Sequence, residues 1–325
     1  MKAVVRTRFG LPHGVRLVEV PKPAPQRGEV LVDVRASSVT FSNLLMASFP
    51  AGLILGMARG AKESILGSDV AGRVEAVGAG VKRFRPEDEV YGYLADCGKG
   101  AYAEYVCAPE RVLERKPINL SFEEAAAVPE SGLVALQAVR DDGGVRPGHR
   151  VLVYGASSSI GTFAVQIAKA LGAEVTGVCS TRNLDLVRSI GADEVIDYTR
   201  QDFTRSGRRY DLIIATAGYR SLADYLRALK PGGSYVCTGG AWRQIFQSAV
   251  RGEKGALKDG KRMAMLEMNP NYDLAALRVL IEAGKIRPVI DRSYPLHAVA
   301  DAFRYYGTRH ARGKVVLTVE PAAER

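Results

Sequence analysis

The chain has 325 residues, with 45 Lys and Arg against 35 Asp and Glu and 47% hydrophobic content. That balance is ordinary for a soluble globular protein, and the length exceeds what one core usually serves, so two domains are expected. No stretch approaches the roughly 20 apolar residues of a bilayer-spanning helix, and MKAVVRTRFG lacks the apolar core of a signal peptide, so no membrane partner and a cytoplasmic location are expected.

The net charge of +10 is scattered among acids, as in RFRPEDEV and RRYDL, with no aromatic-basic stripe. Nucleic acid is therefore not an expected partner, although a basic surface favours anionic ligands. Cys97, Cys107, Cys179 and Cys237 form no C-x-x-C pair and read as small buried hydrophobes.

In chain order, the first ~120 residues alternate short Val-rich runs with Gly and Pro: RLVEV, VLVDVRASSV, GSDVAGRVEAVGAGV, EVYGYL and YAEYVCAP. Period-2 runs broken this way predict a β-rich domain of barrel or sandwich type. Residues 41–66 break the rhythm and predict helical pieces or a loop, either filling core locally or shaping a substrate pocket. From about residue 122 the pattern changes. Ser121 with Glu124 reads as a capping box opening a helix. Strand VLVYG follows, then helix 160–171, strand EVTGVCS, helix NLDLVRSI, strands EVIDY and YDLIIATAG, helix SLADYLRAL, turn KPGG and strand SYVCTGG. Strands alternating with helices predict a doubly wound α/β fold with a parallel sheet. Beyond Gly240 a basic, poorly periodic stretch precedes strand MAMLEM, helices YDLAALRVLIEAG and LHAVADAFRYY, and a closing strand KVVLTV.

The segment VLVYGASSSIG places Gly155 and Gly161 at the outer positions of a dinucleotide fingerprint, with Ser158, Ser159 and Ile160 between them. In that fingerprint the first Gly makes the turn and the last lets helix and strand pack, while backbone N–H groups meet the pyrophosphate. A serine there crowds the phosphate but offers a hydroxyl donor. A strand-to-helix turn with no ligand is the alternative. The second strand ends in Ser180, Thr181 and Arg182 rather than in the acid that would bond the ribose of NAD. Hydroxyls plus a guanidinium suit a 2′-phosphate, so NADPH is the expected cofactor, with NADH weaker. An Arg that merely starts the next helix in solvent is the competing explanation.

The runs ILGSDVAGRVEAVG, DEVYGY, AYAEYV, GASSSIGTFAVQIAKALGAEVTGVCSTRN, GADEVIDY, ALKPGGSYV, EAGKIRPVIDRSYPL and HARGKVVLTV resemble the medium-chain dehydrogenase/reductase superfamily. More narrowly they resemble its zinc-free, quinone-oxidoreductase-like branch. The resemblance implies a GroES-like catalytic domain from residues 1–121 and 267–325, a Rossmann domain over 122–266, a cleft for NADPH and a homodimer. Zinc-dependent relatives carry a Cys near the start of the substrate cleft and a Gly-His-Glu run, where this chain has VTFSN and Gly67-Ser68-Asp69. Those positions offer no thiolate or imidazole, and a metal-independent enzyme is expected. Without a Lewis acid, a quinone or α,β-unsaturated carbonyl is the expected acceptor, because its charge after hydride addition is delocalised. An alcohol dehydrogenase-type carbonyl reductase and a non-catalytic NADP(H)-sensing protein are the alternatives.

The resemblance also assigns residues. Thr40 and Asn43 stand where quinone-reductase relatives often have Asn and Asp, and become candidate donors to the substrate oxygen, or else helix caps. The missing carboxylate makes general-acid catalysis by this pair doubtful and points to water for the proton. Tyr198 matches a tyrosine near the adenine, with a buried sheet-edge role as its competitor. Gly218 and Gly239 match strand ends near the nicotinamide, and Lys314 matches a position close to the cofactor phosphate, with a plain surface charge as the competing explanation. Asn183 replaces the Lys that relatives place after the second strand.

Overall fold

The computed structural model describes residues 1–7, 10, 14–48, 64–217, 219–239, 258–270 and 273–320. Gly218, most of the 41–66 stretch and most of the basic stretch beyond Gly240 lie outside the described residues. The chain divides into two compact units, one of residues 1–130, 270–282 and 288–325, the other of residues 131–269 and 283–287.

The first unit is built on Glu29–Val39, whose alternating valines make a long two-sided strand. It pairs antiparallel with Asp69–Val77, Tyr105–Pro109 and Lys314–Thr318. Glu89–Tyr93, Leu113–Arg115 and Ile290–Pro295 complete a seven-stranded sheet, and Lys2–Arg6 with Val15–Glu19 and Ser64–Ile65 makes a smaller one. Val30, Val32, Val34, Val74, Tyr102 and Phe303 share the core between sheet and helix. This is the GroES-like fold, and its register has a local consequence. Ser38 lies opposite both Asp69 and Val316, next in chain to Val315 and Lys314, so three residues far apart in sequence meet at one end of the sheet.

The terminal strand lies between Glu29–Val39 and Ile290–Pro295, paired on both sides. It therefore has no free edge with which to extend the sheet into a second copy. Helix Phe41–Ser48 follows Glu29–Val39 directly, which resolves the start of the irregular stretch as helical. The capping box is present, with Ser121 Oγ accepting from the Glu124 amide and Glu124 reaching back to the Ser121 amide.

The second unit is a Rossmann fold. Six parallel strands, in chain order Arg150–Tyr154, Glu174–Cys179, Glu194–Asp197, Tyr210–Ala215, Leu229–Cys237 and Arg262–Met265, lie side by side in the order 3-2-1-4-5-6. That order reverses between the first and fourth strands, where doubly wound sheets bind ligands beyond the strand ends. The expected KPGG turn appears as an interruption of pairing, which jumps from Leu229 to Ser234. Residues 283–287 pack with this unit, where Gln166 donates to the Arg287 carbonyl and accepts from its amide. Tyr154, Phe203, Tyr225 and Tyr235 stack through its core. No helix among the described residues is long and apolar enough to cross a membrane.

Candidate active site and nucleotide-binding turn

The turn after Arg150–Tyr154 is made by Gly155 at φ +87°, a conformation that side chains rarely tolerate. A Cβ there would come within 2.5 Å of Thr216 Oγ1, and one at Gly161 within 2.1 Å of the Gly155 carbonyl. Both glycines therefore serve close packing of turn and helix. Ser158 caps the helix Ser159–Ala170 by accepting from the Gly161 amide at 3.0 Å. Its hydroxyl also lies 2.8 Å from that of Thr216, which in turn lies 3.1 and 3.0 Å from the carbonyl oxygens of Tyr154 and Gly155. The Ser158 hydroxyl is thus engaged within the turn by the Gly161 amide and by Thr216. The groups left open by the cap are the first-turn amides of Ser159 and Ile160, which no described residue accepts from and which suit an anion.

Beyond the second strand, Ser180 is part-buried, whereas Thr181 and Arg182 are exposed. Asn183 is buried, and its amide bonds Ser157 and Ser180 at 2.9 and 3.2 Å, which fixes this corner to the turn. The Thr181 hydroxyl is already committed to Asp197 at 2.6 Å. Asp197 is an acid that the sequence reading placed only within a strand. Its carboxyl is held below the ordinary range by Thr181 first, then by the hydroxyl and amide of Thr199 and by Arg200. Tyr198 is 48% exposed with its ring 6.4 Å from that of Tyr154, so an open ring face replaces the buried alternative. Gly239 follows the fifth strand, where a Cβ would meet the Thr216 carbonyl at 3.1 Å.

In the first unit a polar cluster forms around Asp69, which is fully buried. It accepts from Ser38 at 2.5 Å, from the Glu130 amide at 3.0 Å and from the Lys314 ammonium at 3.1 Å. Lys314 is also fully buried. Its expected place at a cofactor phosphate is thereby corrected, because its charge is enclosed with a carboxylate in the core of the first unit. Thr40 Oγ1 accepts from the Asn43 amide at 3.3 Å and so caps its helix, and it lies 2.9 Å from Ser42 Oγ. Asn43 Oδ1 lies 3.1 Å from the Tyr102 hydroxyl and 3.3 Å from Ser68 Oγ. Thr40 and Asn43 are 2% and 4% exposed. They form the inner layer of the cluster, whereas Ser42 and Glu130 keep part of their surface open.

Glu130, the second residue of helix Pro129–Leu136, is the group that sequence reasoning missed. Its carboxyl accepts from Ser42 at 3.0 and 3.3 Å and from Ser68 at 3.4 Å. Burial foremost, then the charge of Asp69, raises its pKa from 4.5 to about 7, against the pull of Lys314 and of the Thr40 and Ser42 hydroxyls. Tyr93 and Tyr102 line the same cluster, and burial pushes both phenols far above their ordinary range.

Residues 26–118 match the alcohol dehydrogenase GroES-like domain, and residues 190–317 match a family described as zinc-binding dehydrogenase. A chloroplast envelope quinone oxidoreductase homolog of Arabidopsis thaliana is 33% identical, over 95% of this chain and 94% of its own. A mitochondrial NAD(P)H oxidoreductase of Mus musculus is 35% identical, over 90% and 82%. Among solved structures, a quinone oxidoreductase from Coxiella burnetii superposes with a TM-score of 0.85 at 29% identity, over 98% and 99%. The chain belongs to the medium-chain dehydrogenase/reductase superfamily, in its quinone-oxidoreductase-like branch.

One of these family descriptions names zinc, and the residues present do not fit it. Thr40 and Ser68 offer only neutral hydroxyls, and Asp69 is already engaged by an ammonium, a hydroxyl and an amide. No three His, Cys, Asp or Glu side chains among the described residues are grouped to hold an ion. A zinc site wants thiolate, imidazole or free carboxylate, and a neighbouring ammonium opposes any cation.

Proposed function

We propose that the chain is an NADPH-dependent, metal-independent reductase of quinones or α,β-unsaturated carbonyls. The observation that carries this reading is the cluster of Thr40, Ser42, Asn43, Ser68 and Glu130 around the buried Asp69–Lys314 pair. The segments VTFSN and Gly67-Ser68-Asp69, which replace the metal-binding runs of zinc-dependent relatives, converge there on hydrogen-bonding groups. Such groups suffice for an oxyanion whose charge is delocalised, whereas a localised alkoxide calls for a stronger electrophile.

The nucleotide is placed by the glycine-packed turn. The amides of Ser159 and Ile160 take the pyrophosphate, Tyr198 offers its face to the adenine, and Gly239 keeps a strand end bare on the nicotinamide side. Arg182, with Ser180 beside it, takes the 2′-phosphate. The ionised Asp197 nearby opposes that phosphate, and Arg200, 3.8 Å from it, offsets the charge. When bound, a reduced nicotinamide supplies the hydride. Thr40 and Asn43 hold Ser42 and Ser68 in place, so that hydroxyl donors face the substrate oxygen.

Initial rates of NADPH and NADH oxidation against quinones, enones and simple aldehydes, with and without a chelator, test this reading. Chelator-insensitive turnover of the conjugated acceptors is the expected result. Binding of NADPH without turnover of any acceptor would instead favour a sensing role. Arg182→Ala is expected to reduce the preference for NADPH about tenfold, the loss of one charge-assisted contact worth about 1.4 kcal/mol, and an unchanged KM ratio for the two cofactors would refute that assignment. A second copy of the chain is the expected partner, through the outer strand Arg262–Met265. A solution mass equal to that of one chain would exclude it.

A further inference from the structure

We propose that Glu130 supplies the proton that completes the reduction, passing it through the Ser42 hydroxyl to the oxygen of the substrate. This rests on the reductase reading and replaces water as the immediate proton source. Hydride addition to a conjugated carbonyl or quinone leaves an oxyanion, and one proton is needed for a neutral product. In the cluster, the Asp69 carboxylate and the Lys314 ammonium face each other at 3.1 Å, both fully buried. Asp69 is thus engaged by one ammonium, one hydroxyl and one backbone amide.

Glu130 differs in each respect. No cation bonds it among the described residues, and the side chains that touch its carboxyl are the neutral hydroxyls of Thr40, Ser42 and Ser68. The charged and titratable groups that face it are Asp69 and Lys314 from two strands of the sheet, and Tyr93 and Tyr102. The two phenols stay neutral, so the charges that act on Glu130 are those of the Asp69–Lys314 pair. Its carboxyl keeps a proton to about pH 7, where an ordinary glutamate has lost it.

The hydroxyl contacts allow the transfer in either direction. Ser42 and Thr40 lie 2.9 Å apart, and either can be the donor. With Glu130 ionised, Ser42 donates to the carboxylate. With Glu130 protonated, the carboxyl donates to Ser42, and the Ser42 hydrogen turns outward. Ser42 is part-exposed, so that hydrogen has an exit. In the step itself the Glu130 O–H bond breaks and a new O–H forms on Ser42. The former Ser42 O–H breaks as its proton joins the substrate oxyanion. Glu130 is left as a carboxylate and regains a proton from water by the reverse of the same route, through the part-exposed Ser42. The acceptor gains one hydride and one proton, and the nicotinamide is the group oxidised.

The test is the pH dependence of kcat with NADPH and a cyclic enone or a quinone, for the full chain and for Glu130→Gln and Glu130→Asp. An acid must be protonated to act, so wild-type kcat is expected to fall as pH rises above about 7. Glu130→Gln is expected to lose that limb and to lower kcat by about 100-fold at neutral pH, the scale of general-acid assistance. Glu130→Asp, which keeps an acid one methylene short, is expected to retain the limb at reduced kcat and to show that the loss in the Gln variant is not one of folding. Infrared difference spectra supply a readout besides activity. The stretch of a protonated carboxyl is expected to fade in the wild type between about pH 6 and 9 and to be absent from that window in Glu130→Gln. Wild-type turnover with an equal rate and an equal pH profile in Glu130→Gln would overturn the proton route alone. A wild-type chain inert toward every conjugated acceptor would overturn the reductase reading itself.

Discussion

Lys314→Met is expected to cost the protein about 3–5 kcal/mol of stability, the usual penalty for leaving one member of a buried ion pair without its partner. Asp69 would remain fully buried in the core of the first unit with only Ser38 and the Glu130 amide to hold its charge. Hydrogen bonds to a neutral hydroxyl and an amide offset part of the desolvation of a carboxylate and leave the rest uncompensated. The loss is read from the midpoint of urea unfolding at neutral pH. The double variant Asp69→Asn with Lys314→Met is expected to regain much of it, since a neutral pair of similar volume carries no charge to desolvate. If Lys314→Met unfolded at the wild-type midpoint, the enclosed pair would be an ordinary packing contact. If the double variant were no better than the single one, the cost would lie in shape and not in charge.

That pair marks the boundary of what the sequence made legible. The Rossmann unit is readable residue by residue because its signals are local. Period-2 runs, Gly155 and Gly161 at the turn, and the Ser121–Glu124 box each act within a few residues. The GroES-like unit was legible as β-rich, and its family resemblance supplied the architecture. The polar cluster around Asp69 was half legible. Thr40 and Asn43 were found through the VTFSN run, and the structure puts both at the cluster. Lys314 was assigned to a phosphate through the family resemblance, with a plain surface charge as the competing explanation. Only the register of Lys314–Thr318 against Glu29–Val39 turns it inward onto Asp69, 245 residues away in sequence. Glu130 in VPESG reads as an acid in the first turn of a helix, a pattern explained by the helix dipole alone. The one signal that could have raised it was its position beside Ser131 and Gly132 in an otherwise apolar run, AAAVPESGLVAL, where a solvated acid has little reason to be. The Ser158 hydroxyl was read as a phosphate donor because no sequence rule brings it to the Thr216 hydroxyl, 2.8 Å away.

The pH dependence of stability offers a second large effect, independent of turnover. In the unfolded chain Glu130 loses its proton near 4.5, whereas in the folded chain it keeps it to about 7. Between those values the folded state binds more protons than the unfolded one, so stability falls as pH rises through this window. Below it both states are protonated, and no penalty exists. Above it both are ionised, and the penalty is complete. At about 1.4 kcal/mol for each tenfold change in proton affinity, it reaches on the order of 3 kcal/mol. Glutamine has the shape of the protonated acid and cannot ionise. Glu130→Gln is therefore expected to match wild-type stability near pH 4 and to exceed it by that amount at pH 8, with the difference growing between about 4.5 and 7. Every other titrating group cancels in the comparison, apart from any response of Asp69 and Lys314 to the lost charge. Urea unfolding of both proteins at about pH 4, 6 and 8 measures it directly. Parallel stability curves would mean that Glu130 titrates like a surface acid. A gap that opens across the window would show that the fold carries a carboxyl whose ionisation it resists, a cost that a reductase needing a proton at neutral pH has reason to keep.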